Sequence, residues 1–153
     1  FLATRHLLQR GHTRIAFLNG PSYISSARER LAGYRAALRQ HRIPFRGELV
    51  REVSIAAGEC AKALQGMLRR GPGFTAVFCF SDLMAWEAIS FLQEKGRSIP
   101  SDIAVVGFDD VPFARYATPP LTTAHLPATE LGRRAGELLQ WWRQPPSTEV
   151  RDE

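Results

Sequence analysis

The sequence predicts an α/β domain: a doubly wound, mostly parallel sheet of about five strands with helices on both faces. Three observations predict it. Short apolar runs alternate with longer amphipathic stretches along the chain. The runs are continuous rather than alternating, as in strands covered on both faces. The loops between them are short.

Each element has its own signal. Ile15-Ala16-Phe17-Leu18 reads as the first strand and residues 50–55 as a weaker second. Residues 75–80 and 103–108 are strong third and fourth strands. Residues 121–126 form a fifth, its start set by Pro119-Pro120. Residues 2–10 are helical, and Gly11 stops them in a C-cap role. Residues 25–41 place Leu31, Tyr34 and Leu38 on one helical stripe. Residues 57–70 do the same with Ala57, Ala61, Leu64 and Leu68, ended by Gly71-Pro72-Gly73. Residues 82–95 follow with Met84, Ala88 and Phe91 or Leu92, before Gly96. A last helix covers 128–143, and Pro145-Pro146 with a polar tail follows it.

Bulk properties narrow the function classes. A length of 153 residues fits one domain, and 44% hydrophobic content supplies a core. No apolar run reaches the roughly 20 residues of a membrane helix. The chain opens on Phe1 without a basic-then-apolar leader, so it reads as part of a longer cytoplasmic protein. The net charge is +5, but its arginines are scattered along helix-like segments, singly or in pairs. That is the pattern of solvated faces, not of a nucleic-acid stripe. Cys60 and Cys79 match no zinc or redox spacing and read as reduced, semi-buried thiols.

No catalytic signature is present. There is no nucleophile elbow, phosphate loop, dinucleotide fingerprint or zinc-protease pair. His6, His12, His41 and His125 are dispersed, so no metal site and no cofactor are expected. His12, just after a helix end, is expected to bond terminal carbonyls. In doubly wound sheets, ligands bind at the carboxyl ends of the strands. Those positions are Asn19-Gly20-Pro21, Ser81-Asp82 and Asp109-Asp110. The Asp109-Asp110 pair has three readings: an ion site short of ligands, a turn or helix cap, or an acceptor of hydrogen bonds from ligand hydroxyls. In the third reading Arg30, early in the helix after strand one, is a candidate clamp.

The order of segments carries more. His6-Leu7-Leu8, Gly11-His12 with Arg14-Ile15-Ala16-Phe17, and Gly20-Pro21 come first. Residues 30–38 (Arg-Leu-Ala-Gly-Tyr-Arg-Ala-Ala-Leu), Thr75-Ala76-Val77-Phe78 and Ser81-Asp82-Leu83-Met84-Ala85 follow. Residues 99–110 (Ile-Pro-Ser-Asp-Ile-Ala-Val-Val-Gly-Phe-Asp-Asp), Pro119-Pro120-Leu121-Thr122-Thr123 and Glu130-Leu131-Gly132 complete the series. This series strongly resembles the LacI/GalR family of bacterial transcription regulators. The resemblance implies a periplasmic-binding-protein type I-like subdomain: residues 1–127 as the C-terminal half of an effector-binding core, and 128–153 as a helix and tail that pack on the missing first subdomain.

The resemblance also implies roles. The chain would be a non-enzymatic sensor that binds a sugar or nucleobase-like effector in a cleft between subdomains. Operator DNA would be reached only through a missing N-terminal headpiece, and no membrane is involved. Arg30 matches the family's ligand clamp and Asp109 its strand-end acceptor. Ser81 stands where many members carry Asn, while Asp82 is expected to cap a helix and Phe108 to pack beneath the site. A homodimer contact would use Met84, Ala88 and Phe91 with Phe113 and Tyr116, unless Met84 and Phe91 are core residues. Trp141 and Trp142 are adjacent, so at least one must be exposed or at a contact. The alternative is a fragment of a periplasmic sugar-binding protein with the same core.

Overall fold

A computed structural model describes residues 1–70 and 73–143. The chain runs α1 (Leu2–Gln9), β1 (Ile15–Asn19), α2 (Ser25–Gln40), β2 (Val50–Glu52), α3 (Glu59–Arg70), β3 (Ala76–Cys79), α4 (Asp82–Glu94), β4 (Ala104–Asp109), β5 (Thr122–His125) and α5 (Ala128–Arg143). Short 3₁₀ turns at Gly47–Leu49 and Pro112–Tyr116 lead into β2 and β5. All strand pairs are parallel, in the order β2-β1-β3-β4-β5. This is the predicted doubly wound sheet. Its direction of growth reverses between β1 and β3, which makes that crevice the switch point.

The two faces can be read from β1. Ile15 and Phe17 turn to one side, where they meet Leu7, Leu8, Tyr34 and Leu38 of α1 and α2. Ala16 and Leu18 turn to the other, against Cys60, Leu64, Met84 and Leu92 of α3 and α4. Every β1 residue is buried, which explains why the strand is a continuous apolar run. Phe17 stacks on Phe78 at 4.6 Å and on Tyr34 at 5.3 Å. The Tyr34 hydroxyl donates to the Ile15 carbonyl at 2.9 Å, so its polar tip is satisfied in the core. Burial, with Glu48 adding to it, pushes that phenol up to about 12.

Several expectations need correction. The edge strand β2 keeps only three residues of the predicted six, because its outer side has no neighbour. On α3 the buried stripe is Cys60, Leu64 and Met67, while Leu68 is 37% exposed. Alanines gave the predicted stripe its register, and alanine carries little burial preference. Both cysteines are fully rather than partly buried. His12 bonds the Thr75 hydroxyl at 3.0 Å, not helix-end carbonyls. The α3 stop at Gly71-Pro72 and the tail beyond Arg143 lie outside the described residues.

Three helices end alike. After α1, Gly11 (φ +88°) donates to Leu8 and His12 to Leu7. After α4, Gly96 (φ +72°) donates to Gln93 and Arg97 to Leu92. After α2 the same pair of bonds runs from Arg42 to Arg39 and from Ile43 to Leu38, but φ +57° there is adopted by an arginine. This left-handed cap favours glycine because it has no Cβ to crowd the backbone.

Candidate functional site: an arginine clamp at the switch point

Three strand ends converge at the crevice. Asn19 ends β1, Phe80 follows β3 and Asp109 ends β4. Arg30 enters from the second turn of α2, which the loop after β1 aims across the crevice. Its guanidinium lies between two rings, 4.1 Å from the Phe80 centroid and 3.9 Å from that of Phe108. Nη1 donates to the Phe80 carbonyl at 2.7 Å, and Nη2 lies 3.5 Å from Asp109 Oδ1. The head is held on four sides before any ligand arrives. Arginine suits such a place because a planar, weakly hydrated cation can stack and donate together.

The pair is half-buried, with side-chain exposures of 14% for Arg30 and 30% for Asp109. Burial raises the Asp109 carboxyl above its ordinary value, Asp82 adds to this, and Arg30 opposes it. Burial likewise lowers Arg30, with Asp109 opposing. Each group is thus harder to charge than in water. Desolvation outweighs an attraction exerted across 3.5 Å. The site holds partly uncompensated charge that polar groups of a ligand can satisfy.

Asp109 sits at φ +113° and Asp110 at φ +56°, both in the region that L residues avoid. The strained turn is braced from beneath. Asp82, only 1% exposed, accepts from the Val111 amide at 2.9 Å and from the Thr123 hydroxyl at 2.5 Å. The Asp110 amide in turn reaches the Thr123 oxygen at 3.3 Å. His125 Nδ1 lies 2.9 Å from Asp110 Oδ2. Gly107 makes room for the brace, since a Cβ there would collide with Asp82 Oδ1. Asp82 therefore does not cap α4. That cap is Ser81, whose oxygen accepts from the Met84 amide at 3.3 Å.

The sequence-predicted residues divide accordingly. Arg30 and Asp109 come together, and Ser81 adjoins them through Phe80. Phe108 is more than packing beneath the site, because it forms one face of the Arg30 sandwich. Phe80 was missed; an aromatic next to a strand-end Ser was its only signal. Asn19 was singled out by position, but its amide is turned inward to the Ala27 carbonyl at 2.9 Å.

The proposed contact residues on α4 need a correction. Met84, Ala88 and Phe91 are buried in the core. The helix exposes Leu83 and Trp86 instead, at 62% and 45%. Trp86 meets Phe113 at 5.2 Å, and Phe113 and Tyr116 are both exposed. Ile55, Leu83 and Trp86 line a cleft of about 480 Å³ between α3 and α4. Among the described residues, no group of three His, Cys, Asp or Glu could hold a metal ion. No helix there is long and apolar enough to cross a membrane.

Known proteins share this fold. Residues 4–148 match the model of the periplasmic binding protein-like domain. The chain is 40% identical over 139 residues to the HTH-type transcriptional repressor PurR of Vibrio atlanticus, covering 91% of the chain and 42% of that relative. It superposes on the transcriptional regulator CelR in complex with cellobiose with a TM-score of 0.86 and 38% identity, covering 90% of the chain and 42% of that one. On a dimeric lac repressor with a C-terminal deletion the TM-score is 0.82 at 36% identity, covering 91% and 52%. The chain thus spans well under half the length of the curated relative. It belongs to the family of periplasmic binding protein-like domains, and within it to the LacI/GalR regulators.

Proposed function

We propose that this chain is one wall of the effector cleft of a LacI/GalR-type transcription regulator, and that its effector is a small polar molecule of the sugar or nucleobase kind. The observation that carries this is Arg30, pinned between Phe80 and Phe108 with Asp109 beside it. Asp109 accepts hydrogen bonds from effector hydroxyls or ring N–H groups. Arg30 has donors left over, since five N–H groups serve two partners. The Ser81 oxygen accepts from Met84, which leaves its proton free to donate to the effector. The ring edges supply apolar contact to a flat ligand.

The rest of the regulator follows the family. A second subdomain closes the cleft, and α5 packs on it. That helix has no buried residue here, and Leu131, Leu138, Leu139, Trp141 and Trp142 are all more than half exposed. A homodimer forms through the exposed apolar residues Leu83, Trp86, Phe113 and Tyr116, of which Trp86 and Phe113 touch. DNA is contacted by a separate N-terminal headpiece in the cytoplasm, and effector binding biases that headpiece through the cleft.

A thermal-shift screen of the intact protein against sugars, nucleosides and nucleobases tests the reading. A ligand of the native state at a hundred times its Kd adds roughly 2.7 kcal/mol. One chemical class is expected to raise Tm in the wild type and not in Arg30→Ala. No response to any class, or an equal response in the variant, would overturn it.

A further inference from the structure

We infer that the far end of α2 is a second ligand site, built to take a small phosphorylated molecule. A cleft of about 540 Å³ opens there, walled by Arg35, Arg39 and Arg42 and floored by Leu38, Ile43, Pro44 and Phe45. Its size falls within the roughly 300–1,000 Å³ of small-molecule pockets. Arg30 and Arg39 are nine residues apart on one helix, or roughly 14 Å along its axis, so this site is separate from the strand-end crevice.

Three features point to an anion. Arg35 and Arg39 lie four residues apart on one side of α2, and Arg42 follows two residues past its end, lining the same cleft. None of them is ion-paired among the described residues, so all three guanidinium groups have donors to spare. Arg35 is held in place by the Phe45 ring, 4.5 Å from its centroid. The third feature is Arg42 itself. The caps of α1 and α4 place glycine at the left-handed position, and the cap of α2, with the same two backbone bonds, holds an arginine at φ +57°. The fold accepts local strain to keep a guanidinium at the cleft mouth, and such outliers mark functional positions. A concave, apolar-floored cleft suits a compact ligand with a flat or apolar body and a phosphate. A long polyanion would need its charges spread along an open face.

Calorimetric titration of the intact protein with ADP, and separately with inorganic pyrophosphate, tests this at low salt. Both are expected to bind, more weakly as salt screens the exposed arginines. Arg42→Gly and Arg39→Gln are each expected to weaken binding about tenfold or more, as loss of a charge-assisted contact does. Arg42→Gly is expected to leave Tm unchanged or raised, because glycine relieves the strained cap. That separates loss of the site from loss of the fold. Arg30→Ala is expected to bind both probes as the wild type does, whatever becomes of the effector reading. The proposal fails if neither probe binds, or if Arg42→Gly binds as well as wild type. It also fails if Arg30→Ala abolishes binding, or if only heparin or polyglutamate binds. The last result would make the face a macromolecular contact.

Discussion

Asp109 in its ionised form is costly to the fold. Its carboxyl is raised by burial, so the ionised form is disfavoured in the native state. A raised pKa contributes stability below the unfolded value and loses it as pH climbs past the folded one. At neutral pH the native protein therefore bears a penalty that disappears below the ordinary aspartate pKa of about 3.9. Asp109→Asn should match or exceed wild-type stability at pH 7, and the gain should vanish near pH 3 in urea titrations at each pH. Asparagine also tolerates φ above zero, so the turn should survive.

Tyr34 has the same sign with a different consequence. Its phenol rises from 10 to about 12, so its contribution is whole below pH 10 and falls away through pH 12. Tyr34→Phe leaves the Ile15 carbonyl without its partner, which costs about 1–3 kcal/mol at pH 8. The gap between variant and wild type should narrow as pH passes from 10 to 12. Gly107→Ala tests the brace beneath the site. Its new methyl would strike Asp82 Oδ1 and crowd Leu121 at 3.0 Å and Ala85 at 3.3 Å. A loss of about 2–4 kcal/mol is expected from overpacking and a disturbed buried carboxylate. The approach of Arg30 to Asp109 was legible from the sequence, since Arg30 lies early in the helix after β1 and Asp109 ends β4. The role of Asp82 was not. It depends on Thr123, 41 residues away, and on a glycine that clears a gap.

At the scale of elements, periodicity worked where side chains are large. The β1 and β3 runs are buried along their whole length and were recognised as continuous apolar stretches. It failed on α3, where small alanines set the wrong register. On α4 it held: the stripe of Met84, Ala88 and Phe91 or Leu92 is buried. What the burial contradicts is the contact role that the resemblance implied for Met84, Ala88 and Phe91, since Leu83 and Trp86 face outward instead. A stripe names a face but not which of two neighbours covers it. Helix α5 is the extreme case: it has a strong apolar stripe and no cover. Replacing Leu138 and Leu139 by Glu should change folding stability by less than about 0.5 kcal/mol, as at other exposed positions. The same change should reduce self-association of the isolated chain in sedimentation velocity. A large loss of stability would place α5 on this domain's own core.

At the scale of the whole molecule, the sheet order sets where chemistry can occur. The reversal between β1 and β3 opens one crevice, and the Arg30 guanidinium stands in it between two rings. The cleft of about 480 Å³ between α3 and α4 reaches Ser81 at the end of β3, while the cleft of about 540 Å³ lies at the far end of α2. Fold and strand-end residues were readable because both follow from element order.

The measurement to make first is a calorimetric titration of the compound that most stabilises the intact protein into wild type, Arg30→Ala and Asp109→Asn. If both side chains grip the effector, each variant should bind at least about tenfold more weakly, the worth of one charged hydrogen bond. Asp109→Asn should do so while remaining as stable as wild type. Unchanged affinity in both variants would contradict the assignment of this crevice as the effector site.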